Sequence, residues 1–294
     1  METMIQGPYD MARQGRHFGG WVRSTDGGIV MAFPAEDWTH SAAVVLRQRG
    51  NTVEGQVQGG GRAAWEQALA VLSLDEDGSG YPAVGDRDPV LGALQREWDY
   101  LRPVLFHSPY EAACAFVIGH RIRITQQRAI RQRIAREHGE AFEIAGAVVH
   151  AFPTPQRLRK LTAIPGVALD KVAKLHAIAD AAMQGRLDRA RLRAQPADEA
   201  IAEMRTLPGV GPFFATGIVL RGAGRTDAVP VEAITRAGIG RLYGLATEPD
   251  DAEVERITAA WAPYRMWCSV LVHAWERGER VESGSRPAPK RSQP

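Results

Sequence analysis

Cysteine is nearly missing from this chain: Cys114 and Cys268 are the only two in 294 residues. Two thiols cannot build a disulfide framework or a four-cysteine metal site, and such sparing use fits a reducing compartment. Net charge is also scarce, at +2. There is no global polycation, so any nucleic-acid surface must come from local clustering. No run approaches the roughly 18 apolar residues of a spanning helix. The opening METMIQGPYD lacks the basic-then-apolar pattern of a secretory leader. A protein of the cytoplasm, with no membrane partner, is expected. What is present is ordinary globular composition, 45% hydrophobic and 24% charged, enough for one or two domains with a real core. The 30 glycines and 18 prolines imply many turns and short helices.

The chain changes character near residue 104. Before it, VVLRQRGNTVEGQVQGG alternates apolar and polar residues about Gly50-Asn51, a hairpin signal. GGIVMAF reads as another strand, AAWEQALAVLSL as a helix and DEDGSGYP as a loop. Residues 1–104 therefore read as an α+β unit on a small antiparallel sheet. Residues 105–282 read as helical. Ser108 and Pro109 are a plausible N-cap and first turn for PYEAACAFVIGHRIRI. TQQRAIRQRIAREHG, EAFEIAGAVVHAF, PQRLRKLTAI, LDKVAKLHAIADAAMQG and ADEAIAEMRTL follow as short helices bounded by Pro, Gly or caps. Residues 283–294, SGSRPAPKRSQP, have almost no apolar content and read as a disordered tail.

One stretch concentrates special backbone residues: LPGVGP, Leu207 to Pro212. Gly209 and Gly211 can take positive φ and permit close approach, and Pro212 suits the first turn of the helix FFATGIVLRG. Free N–H groups and a helix N-terminus then point outward together, which suits an anion such as phosphate. On these residues alone a tight helix connection explains the pattern equally well. LTAIPGVALDKVAKL echoes the motif but lacks the second glycine, and reads as ordinary Pro-Gly punctuation between helices.

Four blocks in order resemble the helix-hairpin-helix DNA glycosylase superfamily, in particular the bacterial 3-methyladenine DNA glycosylase II group. They are HSPYEAACAFVIGHRIRITQQRAIRQRIAREHG, LPGVGPFFATGIVLRG, DAVPVEAITRAGI and WAPYRMWCSVLVHAW, together covering about residues 104–282. The resemblance implies base flipping and cleavage of the N-glycosidic bond in damaged duplex DNA. It implies a catalytic carboxylate at Glu232, where the family carries aspartate two residues after Pro230. Glutamate can supply the same charge to an oxocarbenium-like state, but its extra methylene displaces the oxygens. Asp227 fits a structural position at the start of that loop.

Other roles follow from the same alignment. Phe213 stands where bifunctional members carry the Schiff-base lysine, so lyase chemistry is not expected. Phe213 and Trp275 fall at aromatic base-pocket positions, suited to a cationic alkylated purine. For Phe214, Trp261 and Trp267, core packing is the preferred reading. Gly217 lies where a relative has a further aromatic ring, which implies a wider pocket. Gly119-His120-Arg121 matches the turn that fills the gap left by the flipped base. Arg121 is the wedge candidate and His120 its minor-groove neighbour, with a solvated basic face as the alternative. Arg123, Arg128, Arg131, Arg133 and Arg136 read mostly as helix surface, some of them meeting phosphates. Gly209, Val210 and Gly211 would contact the DNA backbone, and the carbonyls of Arg205, Leu207 and Val210 would hold a monovalent cation, sodium or potassium. No other cofactor is expected, and two cysteines rule out the four-cysteine iron–sulfur cluster of some relatives. The expectation is a monomeric, nucleoid-associated monofunctional glycosylase for alkylated purines in base excision repair. The competing readings are an inactive damage-binding descendant and a glycosylase for another base such as hypoxanthine or uracil.

Overall fold

The structure is a computed structural model and describes residues 1–15, 22–25, 28–230 and 232–278. The expected tail at 283–294 lies outside them. Five strands form one antiparallel sheet in the order β1 (Glu2–Met4), β5 (Thr52–Gln58), β4 (Ser41–Arg49), β3 (Gly28–Pro34), β2 (Arg23–Thr25). The expected hairpin is β4–β5, closed at Gly50 with φ +58°. Alternate residues of β3 and β4 feed two different cores. Ile29, Met31, Phe33, Val44 and Leu46 pack under α2 (Gly61–Val71), while Val30, Ala32, Ala43 and Val45 face the opposite side. Strands buried on both faces explain why GIVMAF is apolar throughout.

The opposite face is covered from an unexpected place. EAFEIAGAVVHAF, read from sequence as a helix, is a two-stranded hairpin: β6 (Ala141–Ile144) and β7 (Ala147–His150). Ala145 and Gly146 both take positive φ, +50° and +72°, the geometry of a tight hairpin turn. Ile144 and Ala151, with Phe142 and Val149 beside them, pack on Val30, Ala32, Ala43 and Val45. The alanines gave the stretch a helical look. Its β-branched residues and the burial available on the sheet decide otherwise.

The remaining elements are α1 (Met11–Gln14), α3 (Ala83–Arg87), α4 (Pro89–Trp98), α5 (Pro109–Gly119), α6 (Ile124–His138), α7 (Pro155–Leu158), α8 (Leu169–Met183), α9 (Arg189–Ala194), α10 (Ala197–Met204), α11 (Pro212–Gly217) continued by a π-wound segment (Ile218–Ala223), α12 (Ala233–Leu242), α13 (Asp251–Thr258) with a 3₁₀ turn (Ala259–Trp261), and α14 (Arg265–Glu276). α5 begins as its sequence says: Ser108 Oγ accepts the Glu111 N–H at 3.2 Å, and Pro109 follows the cap. It is buried along most of its length, at the centre of a core shared with α6, α8, α10 and the π segment. Trp261 and Trp267 are fully buried in another core, as expected. That core unites residues 81–101 with α12–α14, so the packing does not divide at residue 104. Arg131 departs from its surface reading. It is 9% exposed and pairs with Glu111 at 3.2 Å, and Glu111 also meets His107 at 3.1 Å.

Candidate active site

α10, a turn and α11 form the helix–hairpin–helix. The Val210 N–H meets the Leu207 carbonyl at 3.0 Å, with Gly209 at φ +82° in the left-handed position that Pro-Gly turns require. Leu207 and Val210 point into the core and anchor the turn, so only the backbone of Val210 is available to a ligand. Gly211 differs from the sequence expectation. Its φ of −82° is open to any residue, and a Cβ there would meet nothing within 4 Å. The sequence echo is geometric as well. Val167 N–H meets Ile164 O at 3.0 Å, and Gly166 has φ +76°. That second Pro-Gly turn leads into α8.

Between α11, the π segment and the loop before α12 lies a cleft of about 480 Å³. Phe116, Phe213, Gly217, Arg221, Pro230 and Glu232 are among its walls. Glu232 occupies the N-cap position of α12, but its side chain makes no capping bond and remains available to the cleft. Burial raises its carboxyl above the ordinary value of 4.5, while Arg221 and Arg277 pull it back down. Nearby, His273 is pushed down to about 4 by burial and by Arg277 and Arg221, so it is neutral at physiological pH. It lies 2.8 Å from Thr235 Oγ1. Asp227 is exposed and lies 3.5 Å from Arg265, in keeping with a structural part.

The aromatic wall differs from expectation in two respects. Phe213 is at the mouth, 58% exposed. Gly217 does not widen the cleft, because Phe116 of α5 fills that space: a Cβ on Gly217 would come within 2.4 Å of the Phe116 ring. Phe116 stacks on Phe214 at 5.2 Å and meets Phe213 edge-on at 6.3 Å. Sequence reasoning missed Phe116. Its only signal is a small residue at 217 facing an aromatic from a distant helix. Trp275 is half-buried against the α4–α14 core, and the cleft walls do not include it.

The loop after α5 lies beside this wall. His120 is exposed, with its ring edge-on to Phe214 at 5.7 Å. Arg121 is exposed at φ +58°. Arg123, Arg128 and Arg136 are exposed on or next to α6, while Arg133 is half-buried and donates to Pro165 O. The described residues hold no group of three or more His, Cys, Asp or Glu that could bind a metal ion, and no helix is long and apolar enough to cross a membrane.

No protein-family model matches the chain. Two bacterial proteins resemble it in sequence. DNA-3-methyladenine glycosylase of Bacillus subtilis is 22% identical over 203 residues, 67% of either chain. DNA-3-methyladenine glycosylase 2 of Escherichia coli is 26% identical over 174 residues, and the match spans only 56% of each. The 3-methyladenine DNA glycosylase of Archaeoglobus fulgidus superposes with a TM-score of 0.78 at 17% identity, covering 96% of this chain and all of that one. A Clostridium acetobutylicum 8-oxoguanine glycosylase/lyase, bound to duplex DNA with cytosine opposite the lesion, gives 0.61 at 17% identity over 87% of this chain and 98% of its own. The chain has the helix-hairpin-helix DNA glycosylase fold, and DNA-3-methyladenine glycosylases are its distant sequence relatives.

Proposed function

We propose that this protein is a monofunctional DNA glycosylase that excises alkylated purines from duplex DNA by base flipping, in base excision repair. One observation carries the reading: a half-buried carboxylate, uncommitted to helix capping, faces an aromatic cleft beside a Pro-Gly hairpin. The hairpin N–H groups grip a backbone phosphate. The damaged nucleotide rotates out, Arg121 fills the gap with His120 beside it, and the base enters against Phe213 and Phe116. An alkylated purine is cationic, so its aromatic contacts gain about 0.5–2 kcal/mol. It also leaves without a strong general acid. Glu232 stabilises the positive charge that develops at C1′ as the glycosidic bond opens, and water completes the hydrolysis. Trp275, the other ring expected in the base pocket, packs against the core that holds α14 and not on the cleft wall, so the base meets Phe213 and Phe116. The turn after α10 gathers several backbone carbonyls, each with a second lone pair beyond any hydrogen bond it accepts. The carbonyls of Arg205, Leu207 and Val210 there would hold a monovalent cation next to the gripped phosphate. The protein acts as a monomer, in the cytoplasm and on the nucleoid.

A panel of lesion duplexes, treated with alkali to reveal abasic sites, tests the reading. Glu232→Gln should lower excision by about a hundredfold or more while leaving duplex affinity near wild type, because the charge is used only in the transition state. Wild-type turnover by that variant would remove the catalytic role. A wild-type protein inert on every lesion would instead be a damage-binding protein of the same fold, and excision confined to hypoxanthine or uracil would reassign the substrate. No strand cleavage should occur without alkali or heat, since Phe213 offers no amine. A covalent adduct trapped by borohydride would contradict that.

A further inference from the structure

Residues 119–122 form a type II β-turn. The Ile122 N–H meets Gly119 O at 3.2 Å, His120 has φ −58° and ψ 121°, and Arg121 has φ +58°. The position Arg121 occupies is the one that favours glycine in such turns, and the arginine is strained there. A non-glycine residue relieves that strain by flipping the central peptide to type I. The flip reverses the His120 carbonyl and brings residue 121 to negative φ. Something must oppose it.

Lys171, in the first turn of α8, donates from Nζ to the His120 carbonyl at 2.8 Å and to the Ile118 carbonyl at 3.0 Å. The His120 carbonyl belongs to the very peptide that flips. We propose that Lys171 is a positioning residue that locks the 119–122 turn in its type II form, so that Arg121 is held out as the wedge. The neighbouring Lys174 carries its methylenes beneath Gly209, where a Cβ would meet Lys174 Cδ at 2.8 Å. One face of α8 thus fixes the wedge turn and supports the hairpin. This rests on the wedge role given to Arg121 above.

The test is affinity for a duplex with an abasic-site analogue relative to intact duplex, which needs no excision. Lys171→Met should lower the abasic-to-intact preference roughly tenfold, equivalent to about 1.4 kcal/mol, with the melting temperature unchanged. Arg121→Asn takes away the wedge side chain and relieves the turn, so in that background a lysine that acts only through Arg121 has nothing left to hold out. There Lys171→Met should change the preference by less than about threefold, a coupling that a merely structural lysine would not give. Should Lys171→Met fail to fold, Lys171→Gln makes the same comparison with a polar side chain too short to span both carbonyls. An unchanged preference, an equal loss for both duplexes, or the same loss in both backgrounds overturns the lock. A loss of preference on Arg121→Gly, with none on Lys171→Met, keeps the wedge and removes the lock. No loss on Arg121→Gly removes the wedge itself, and the lock with it.

Discussion

At Glu232, burial and two arginines act in opposite directions on one carboxyl, and burial prevails. In the proposed mechanism Glu232 acts in its charged form. The acid limb of excision should therefore lie above the ordinary glutamate value, and activity should fall as pH drops through it. Arg221→Gln removes a charge that favours the carboxylate, so it should move that limb to still higher pH. A pH–rate profile on one lesion duplex reads both effects, and an acid limb unmoved by Arg221→Gln would show that Arg221 does not act on Glu232. The resemblance assigned Glu232 and Phe213 by their offsets from proline-marked turns, and both line the cleft. Phe116 was not legible in the sequence, because the space it fills is defined by Gly217, on a helix that packs beside it only after folding. Arg131 looked like one more surface arginine of α6, and only its pairing with Glu111 inside the core tells it apart.

At the scale of the hairpin, the two glycines of LPGVGP separate into different jobs. Gly209 is bound to left-handed backbone and packed against Lys174, so Gly209→Val should strain the turn and destabilise the fold by about 1–3 kcal/mol. Gly211 is extended and faces open space, so Gly211→Val should leave the melting temperature within a degree or two. On the proposed binding mode, its new side chain would stand in the path of the DNA backbone. Both variants should bind intact and lesion duplex more weakly alike, since phosphates carry no sequence information. Thermal melts together with duplex titrations check this, and unchanged binding by Gly211→Val would reduce the hairpin to a helix connection. The turn itself was readable from Pro-Gly chemistry. The split between its glycines was not, because φ at the second depends on how α11 leaves the turn. The β6–β7 hairpin went unread for a related reason: its face is apolar only relative to a sheet whose strands lie about a hundred residues earlier.

Across the whole molecule, the sheet unit and the helical unit are joined by polar as well as apolar contacts. Arg189 of α9 pairs with Glu36 at 2.9 Å and donates to His107 O at 2.7 Å, and the Trp38 indole N–H reaches Ala182 O at 3.1 Å. The Arg189 side chain is 7% exposed and that of Glu36 24%. Arg189→Met leaves a mostly buried carboxylate without its cation, at a cost of about 3 kcal/mol or somewhat more. The melting temperature should fall by several degrees, and a shift within error would make the pair incidental. The β6–β7 hairpin adds a constraint of another kind. A fragment beginning at residue 105 would follow the visible change in sequence character, yet it would carry away Phe142, Ile144 and Val149 without the sheet they rest on. Such a fragment would display a greasy two-stranded flap with open edges, the kind of surface through which chains self-associate. The helical half does not stand alone: the apolar face of its hairpin is covered by strands translated before it.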